Sequence, residues 1–389
     1  MNDNICITML KKSERVRKRP GVIFGSCDGE GALEALKTLI DMLAREAILG
    51  YCKRLSVVLH KDNSVSVCSY DRGLKLDESV TDEGRERWQE IFCSLPLAPR
   101  EPDVDFYRAM EREQDSLFGY GSHILDYSNG SYCAFDLCCV QYVCEYMTLE
   151  AVRDGLRKKV RFVKGEPVTG IEREPSGEES KTLFKFRFDT EVFTSVDTDH
   201  QELGRYLQSL ALTVQGLKCE LAVEKEGIEL SYQYADGIKG YASSLCTACC
   251  FVNEKQASGR DRYDRDGYKA RVRAAVGFSQ NGGQIRCFHN YRELKNGGTH
   301  LDAVLKKIEK AFMSAGLCHG ISDCELSKAL AEHTVVIIET NCSPFYAERT
   351  NGLHNSLSNK MIADMAGDLI DLGFVRCLKA NKDKLGFIF

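Results

Sequence analysis

No segment of this chain is apolar for long enough to cross a bilayer. The most apolar long stretch, Tyr132 to Val152, is broken by Asp136, Gln141 and Glu145. A span of roughly 20 apolar residues does not accommodate such groups cheaply. The stretch reads instead as a buried helix, and a membrane is excluded as a partner. A signal-peptide layout is also missing: Met1 to Leu10 is short, mixed and followed by basic residues, so the expected location is cytoplasmic. Neither sign of charge is in large excess. With 52 Lys and Arg against 57 Asp and Glu, the net charge is −5, which supplies no general attraction to nucleic acid. Any DNA contact must therefore use a local basic patch. Proline is scarce, at 7 in 389 residues, and there is neither a repeat nor a low-complexity tract. Solenoids and long disordered linkers are thereby excluded.

Apolar residues are plentiful, at 43%, and the length favours two domains. Cysteine is abundant too, at 18. Scattered cysteines without an export signal read as reduced thiols acting as small hydrophobes rather than as a disulfide framework. The dense cluster Cys246-Thr247-Ala248-Cys249-Cys250 offers one C-x-x-C pair but no second pair at zinc spacing, so no metal site is expected.

The first unit, residues 1–195, opens with helical spacing over Gly31 to Tyr51 (Leu33, Leu36, Ile40, Leu43, Ala47). A hairpin follows, with Leu55 to His60 and Val65 to Cys68 around Asp62-Asn63. Asp77 to Phe118 is charged and proline-bearing and reads as loops and short helices, and Lys159 to Phe193 returns to strands. A composition shift near Asp197 opens the second unit, residues 196–389. Its expected elements are a helix around Glu202 to Leu212, strands at Leu217 to Val223 and Ile228 to Tyr234, and an exposed loop from Ala257 to Gly267. Strands at Ala274 to Phe278, Ile285 to Asn290 and Thr334 to Glu339 follow, with helices at His300 to Ala315 and Ser356 to Leu372.

Several strings carry a resemblance. Arg17-Lys18-Arg19-Pro20-Gly21 with Val22 to Gly25, the helix Leu39 to Cys52, and the strand and turn Ser64 to Leu74 are similar to the ATPase region of the B subunits of DNA gyrase and topoisomerase IV. Phe162 to Pro167 and Thr182 to Phe188 match strands that close that region. Tyr234 to Tyr241 and Gly297-Gly298-Thr299-His300 match the adjoining transducer. The resemblance implies an α+β fold: a GHKL ATPase-type α/β sandwich followed by a ribosomal-protein-S5-like transducer domain. It also implies ATP and Mg²⁺ as cofactors, and pairing with a second copy or a companion topoisomerase subunit.

The residues present argue against the implied chemistry. The family's water-activating glutamate is here Thr38, a neutral hydroxyl that is no base. The asparagine that binds Mg²⁺ is Met42, and a thioether is a poor ligand for a hard cation. The adenine-accepting aspartate is Ser69, and the turn after it has gained bulk at Tyr70 and Asp71. The phosphate lid keeps one glycine, Gly130, and Asp136 adds a negative charge. The transducer's Gln-Thr-Lys becomes Glu348-Arg349-Thr350. Arg349 lies one residue from the lysine position, and neighbours on an extended segment face opposite ways. Glu46, Arg72, Gly73, Arg153 and Thr182 persist, and an ion pair joining two elements supports a fold as readily as a site.

These substitutions point to a pseudo-ATPase with a binding or regulatory role. The sequence carries no Glu-Gly-Asp-Ser type metal motif, so toprim and DNA-cleavage parts are expected to be missing. The alternative is an ATP-binding, ATP-hydrolysing subunit of a type II topoisomerase acting with a separate cleavage chain.

Overall fold

Three helices open the chain: α1 (Lys12–Lys18), α2 (Pro20–Phe24) and α3 (Gly29–Ile48). The computed structural model describes residues 10–48, 50–77, 84, 86–93, 133–259, 268–318, 320, 322–342, 348–349 and 356–388, and the structural statements below concern these. Pro20 at the first helical position and Gly25 at φ +79° bound α2, since proline needs no donor there and glycine tolerates the left-handed turn. Arg17, from the basic cluster, turns inward. Its guanidinium donates to Asp189 at 2.6 Å and to the Tyr142 carbonyl at 3.1 Å. That arginine ties α1 to the segments carrying Asp189 and Tyr142.

The described residues divide into two compact units. The first comprises the described residues up to Leu207 together with Lys218–Ser231; the second comprises Gln208–Leu217 and the described residues from Tyr232 onward.

The first unit is built on one sheet. Its strands are β1 (Arg54–Leu59), β2 (Val65–Ser69), β3 (Cys144–Arg153), β4 (Leu156–Val163), β5 (Glu166–Pro167), β6 (Glu172–Pro175), β7 (Lys181–Phe188), β8 (Lys218–Val223) and β9 (Ile228–Gln233). They run in the order β5-β4-β3-β7-β2-β1-β8-β9, with β6 on β4. Alternation sets the inward face: Thr182, Phe184, Phe186 and Phe188 of β7 are all buried. Each buried phenylalanine contributes about 2–3 kcal/mol of transfer free energy. Leu33, Leu36, Leu39, Ile40 and Leu43 give α3 its buried stripe. Two further helices complete the unit, α4 (Arg87–Cys93) and α5 (Cys133–Tyr142). Trp88 of α4 is buried edge-on against Phe162 at 5.9 Å.

Two expectations change here. The run Tyr132 to Val152 is not one helix: it is α5 and then β3, which lies between β4 and β7. Apolar content alone does not separate a buried helix from a buried strand. The strands in 217–234, expected in the second unit, extend the first sheet because β8 pairs in parallel with β1, Val57 opposite Leu221.

The second unit holds the C-terminal part of α6 (His200–Thr213), α7 (Gly237–Leu245), α8 (Thr299–Ala315), α9 (Asp323–His333), α10 (Lys360–Asp368) and α11 (Leu372–Ala380). Its sheet runs β10-β11-β14-β12-β13: β10 (Ala248–Gly259), β11 (Tyr268–Phe278), β12 (Gln284–His289), β13 (Arg292–Glu293) and β14 (Thr334–Cys342). All nine residues of β14 are buried. Val335 and Ile337 pack with Leu212, Ile238 and Phe288, while Val336 and Ile338 pack with Val304, Ile308, Phe312 and Phe374. A strand covered on both faces loses the polar alternation that would mark it in a sequence. Two short strands, β15 (Glu348–Arg349) and β16 (Leu357–Ser358), pair antiparallel. Gly298 is required by close approach: at φ +142°, a Cβ there would meet the Leu357 carbonyl at 2.0 Å. The expected loop Ala257 to Gly267 is strand through Gly259, and the expected helix Ser356 to Leu372 is β16, α10 and the start of α11.

Candidate functional site

Helical spacing places Thr38, Met42 and Glu46 on one side of α3, each half-buried. The Thr38 hydroxyl donates to the Glu34 carbonyl at 2.9 Å, the back-bond threonine makes inside a helix. Its proton is thereby committed, and no basic group stands in its place. Met42 presents sulfur. The carboxylate beside it, Asp41, is 1% exposed and receives the Tyr206 hydroxyl. Sequence reading did not single out Asp41, and its burial among apolar helix positions gives the reason.

Eight residues along from Thr38, Glu46 receives Arg72 through two bonds, Nε at 2.9 Å and Nη2 at 3.0 Å. The Arg72 guanidinium also stacks on the Tyr51 ring at 3.5 Å. This bidentate pair ties α3 to the turn that follows β2. Gly73 is in the left-handed region at φ +73°, and a Cβ there would meet the Val152 carbonyl at 2.2 Å. Arg153 donates to the Gly73 carbonyl at 3.1 Å. The turn is therefore held from α3 on one side and from β3 on the other.

Inside that turn, Ser69 is fully buried and donates to the Cys52 sulfur at 3.2 Å. Tyr70 lies under the Arg54 guanidinium at 3.5 Å. Asp71 is more than the added bulk that the sequence suggests. It is 7% exposed and accepts from the Gly73 amide at 2.7 Å and from the Thr182 hydroxyl at 3.0 Å. Thr182 Oγ1 in turn accepts from the Leu74 amide at 3.2 Å. The second carboxylate oxygen of Asp71 is buried without a hydrogen-bond partner among the described residues. Burial holds this carboxyl above the usual carboxylate range, against the lowering effect of the Gly73 amide. A carboxylate has thus returned two residues after Ser69, bonded to Thr182. The signal in the sequence was an aspartate immediately before the retained Arg72-Gly73.

The structure brings Glu46, Ser69, Arg72, Gly73, Arg153 and Thr182 together around one turn, with Asp71 added. Gly130 and Thr350 lie outside the described residues, and Glu348 and Arg349 are described only as strand backbone in β15. The stretch of α3 around Met42 is a poor fit to Mg²⁺: Met42 offers a thioether, which a hard cation binds poorly, and the adjacent carboxylate of Asp41 is 1% exposed and already accepts from Tyr206. Among the described residues, no group of three or more His, Cys, Asp or Glu side chains is placed to hold a metal ion. None of the described helices is long and apolar enough to cross a membrane.

No family model matches the chain. It is 26% identical over 310 residues to the B subunit of DNA topoisomerase 4 from Bacillus subtilis, covering 79% of this chain and 43% of that protein. It is 26% identical over 385 residues to the B subunit of DNA gyrase from Archaeoglobus fulgidus, covering 96% of this chain and 56% of that one. The chain thus spans about half the length of these curated relatives. Among solved structures, the 43K ATPase domain of Thermus thermophilus gyrase B, in complex with an aminocoumarin, superposes with a TM-score of 0.68 at 19% identity. That superposition covers 97% of this chain and 93% of that domain. The B-subunit of DNA gyrase from Myxococcus xanthus gives 0.68 at 16% identity, covering 97% of this chain and 99% of that one. The expected α+β fold is the fold observed.

Proposed function

We propose, for a chain that is a divergent relative of the gyrase and topoisomerase IV B subunits, that it is a pseudo-ATPase with a binding or regulatory role. The supporting observation is the site-facing chemistry of α3. Attack of water on a γ-phosphate needs a group to receive a proton and a cation to gather phosphate oxygens. Thr38 donates its own proton to a carbonyl, and Met42 offers sulfur. The retained Glu46–Arg72 pair, Gly73 and Arg153 bind one another, and they act as supports for the turn. Under this reading the second unit serves as the transducer-like body of a protein that keeps a gyrase-like shape in the cytoplasm. Its partners are a second copy of itself or a topoisomerase-type companion chain.

The test is phosphate release by purified chain supplied with ATP and Mg²⁺, beside a Thr38→Ala variant. No Mg²⁺-dependent release above a protein-free control is expected from either. A Mg²⁺-dependent release that the substitution abolishes overturns the proposal.

A second reading is favoured by Asp71. A buried carboxylate oxygen without a partner, beside Thr182, is an acceptor suited to an exocyclic amino group. On this reading the chain binds an adenine nucleotide without Mg²⁺-assisted hydrolysis and works with other topoisomerase chains. Asp71→Asn should then weaken adenosine binding at least tenfold in a calorimetric titration. Equal binding by both forms, or no binding to the wild type, removes the second reading and leaves the first.

A further inference from the structure

Four thiols gather in the second unit, away from the turn site. Cys246 follows α7, Cys249 and Cys250 open β10, and Cys377 lies on α11. The C-x-x-C spacing pairs Cys246 with Cys249, but the fold pairs them otherwise. Cys249 Sγ lies 2.6 Å from Cys377 Sγ, 128 residues away in sequence, whereas Cys250 faces Ser243 Oγ at 3.3 Å. The cause is in the backbone. The register of β10 on β11 slips between Ala248 and Phe251, and Cys249 sits at φ +51°. Such a bulge re-aims side chains, leaving Cys249 buried and Cys250 exposed.

Contacts that do not involve sulfur hold α11 on β10. The Phe251 and Phe374 rings are 5.5 Å apart, and Asn253 Nδ2 donates to Oδ2 of Asp371, the residue that caps α11, at 3.3 Å. Asp371 caps α11 by accepting from the Gly373 amide at 2.7 Å. The two sulfurs are therefore presented to each other by a packed framework. With no metal-holding group among the described residues, the chemistry left to this cluster is exchange between sulfurs.

We propose that Cys249 and Cys377 form a thiol–disulfide exchange site whose reagent is a small-molecule disulfide, and that exchange closes a bond between the start of β10 and α11. In the first step the half-buried Cys377 attacks one sulfur of the reagent as its thiolate. The reagent's S–S bond breaks, and one small thiol leaves with the proton from Cys377. Cys249 then attacks Cys377 Sγ, the mixed disulfide breaks, and the second small thiol leaves with the proton from Cys249. The protein loses two electrons and the reagent becomes two thiols. Burial and the neighbouring Cys377 raise the Cys249 thiol well above its ordinary range, so Cys249 is the poorer nucleophile and the first attack falls to Cys377. Nothing in this inference depends on whether the turn site binds a nucleotide.

The experiment treats the full chain with oxidised glutathione, alkylates the remaining thiols under denaturing conditions, and maps disulfides by mass spectrometry of the digest. The expected product is a peptide pair joining Cys249 to Cys377, reversed by dithiothreitol and lost in Cys377→Ser. The closed loop should also raise the melting temperature of the second unit by roughly 5 °C or more. Glutathione on Cys250, Cys27 or Cys324 with Cys249 and Cys377 still alkylated overturns the proposal, as does a Cys246–Cys250 link in its place. Should Cys377→Ser fail to fold, the map of the wild-type chain decides alone, because it identifies the pair directly.

Discussion

Two histidines in the second unit should make it acid-labile, and the size of the effect can be worked from their surroundings. His289 is 1% exposed and His300 is fully buried. Thr340 Oγ1 donates to the Phe288 carbonyl at 2.9 Å, so it accepts from His289 Nδ1, also at 2.9 Å. That fixes the proton of neutral His289 on Nδ1 and leaves Nε2 bare. Nε2 of His289 and both ring nitrogens of His300 have no hydrogen-bond partner among the described residues. Burial, with His300 as a second cause, pushes His289 down to about 3, and burial pushes His300 down to about 4. In the unfolded chain both titrate near about 6.5. The unfolded state therefore binds more protons below that value. The stability of the neutral pair is complete above pH 6.5 and is lost as pH falls toward the folded values. At pH 5 each histidine costs about 2 kcal/mol, and the two together about 4 kcal/mol. Urea unfolding by circular dichroism at pH 7.5 and pH 5.0 measures the loss. The transition of the second unit is assigned by pulsed alkylation of Cys342, which is 1% exposed. The double variant His289→Leu, His300→Met should lose about 4 kcal/mol less than the wild type over this interval. Equal losses in the two proteins refute the reasoning.

Other outcomes follow from the turn site. Gly73→Ala combines a left-handed backbone with a Cβ 2.2 Å from the Val152 carbonyl, and should destabilise the first unit by about 2–5 kcal/mol, read from Trp88 fluorescence in urea. Arg72→Ala should cost about 1 kcal/mol, since the pair with Glu46 is bidentate but partly exposed. Glu46→Ala should cost a similar amount, and the double variant less than the sum of the two, which a double-mutant cycle checks. Asp71 has its folded value raised by burial. It therefore adds stability as pH falls through that value, and Asp71→Asn should abolish this acid-side gain in the same urea series.

Much of the fold was legible because its elements carry local signals. The spacing of Leu33, Leu36, Ile40 and Leu43 gave α3, and the Asp62-Asn63 turn gave the β1–β2 hairpin. Failures came where packing overrides pattern. Cys144 to Arg153 is apolar because β3 is a central strand, and its composition resembles that of the helix before it. The partner of β8 is β1, more than 150 residues earlier, which no local signal encodes. At the site, the residue types alone place a hydroxyl at Thr38 and a thioether at Met42 on α3. The role of Asp71 was not legible, because it depends on the turn carrying its carboxylate to Thr182. The approach of Cys249 to Cys377 was not legible for a similar reason: C-x-x-C spacing counts residues, whereas the bulge at Cys249 decides which sulfur meets which.

If α3 cannot bring Mg²⁺ to a nucleotide, a thermal melt with a non-hydrolysable ATP analogue, run once with Mg²⁺ and once with chelator, tests it most directly. The same melting temperature is expected in both. A Mg²⁺-dependent rise would contradict this if the rise corresponded to about 2.7 kcal/mol at a hundredfold excess over the dissociation constant and disappeared in Met42→Ala.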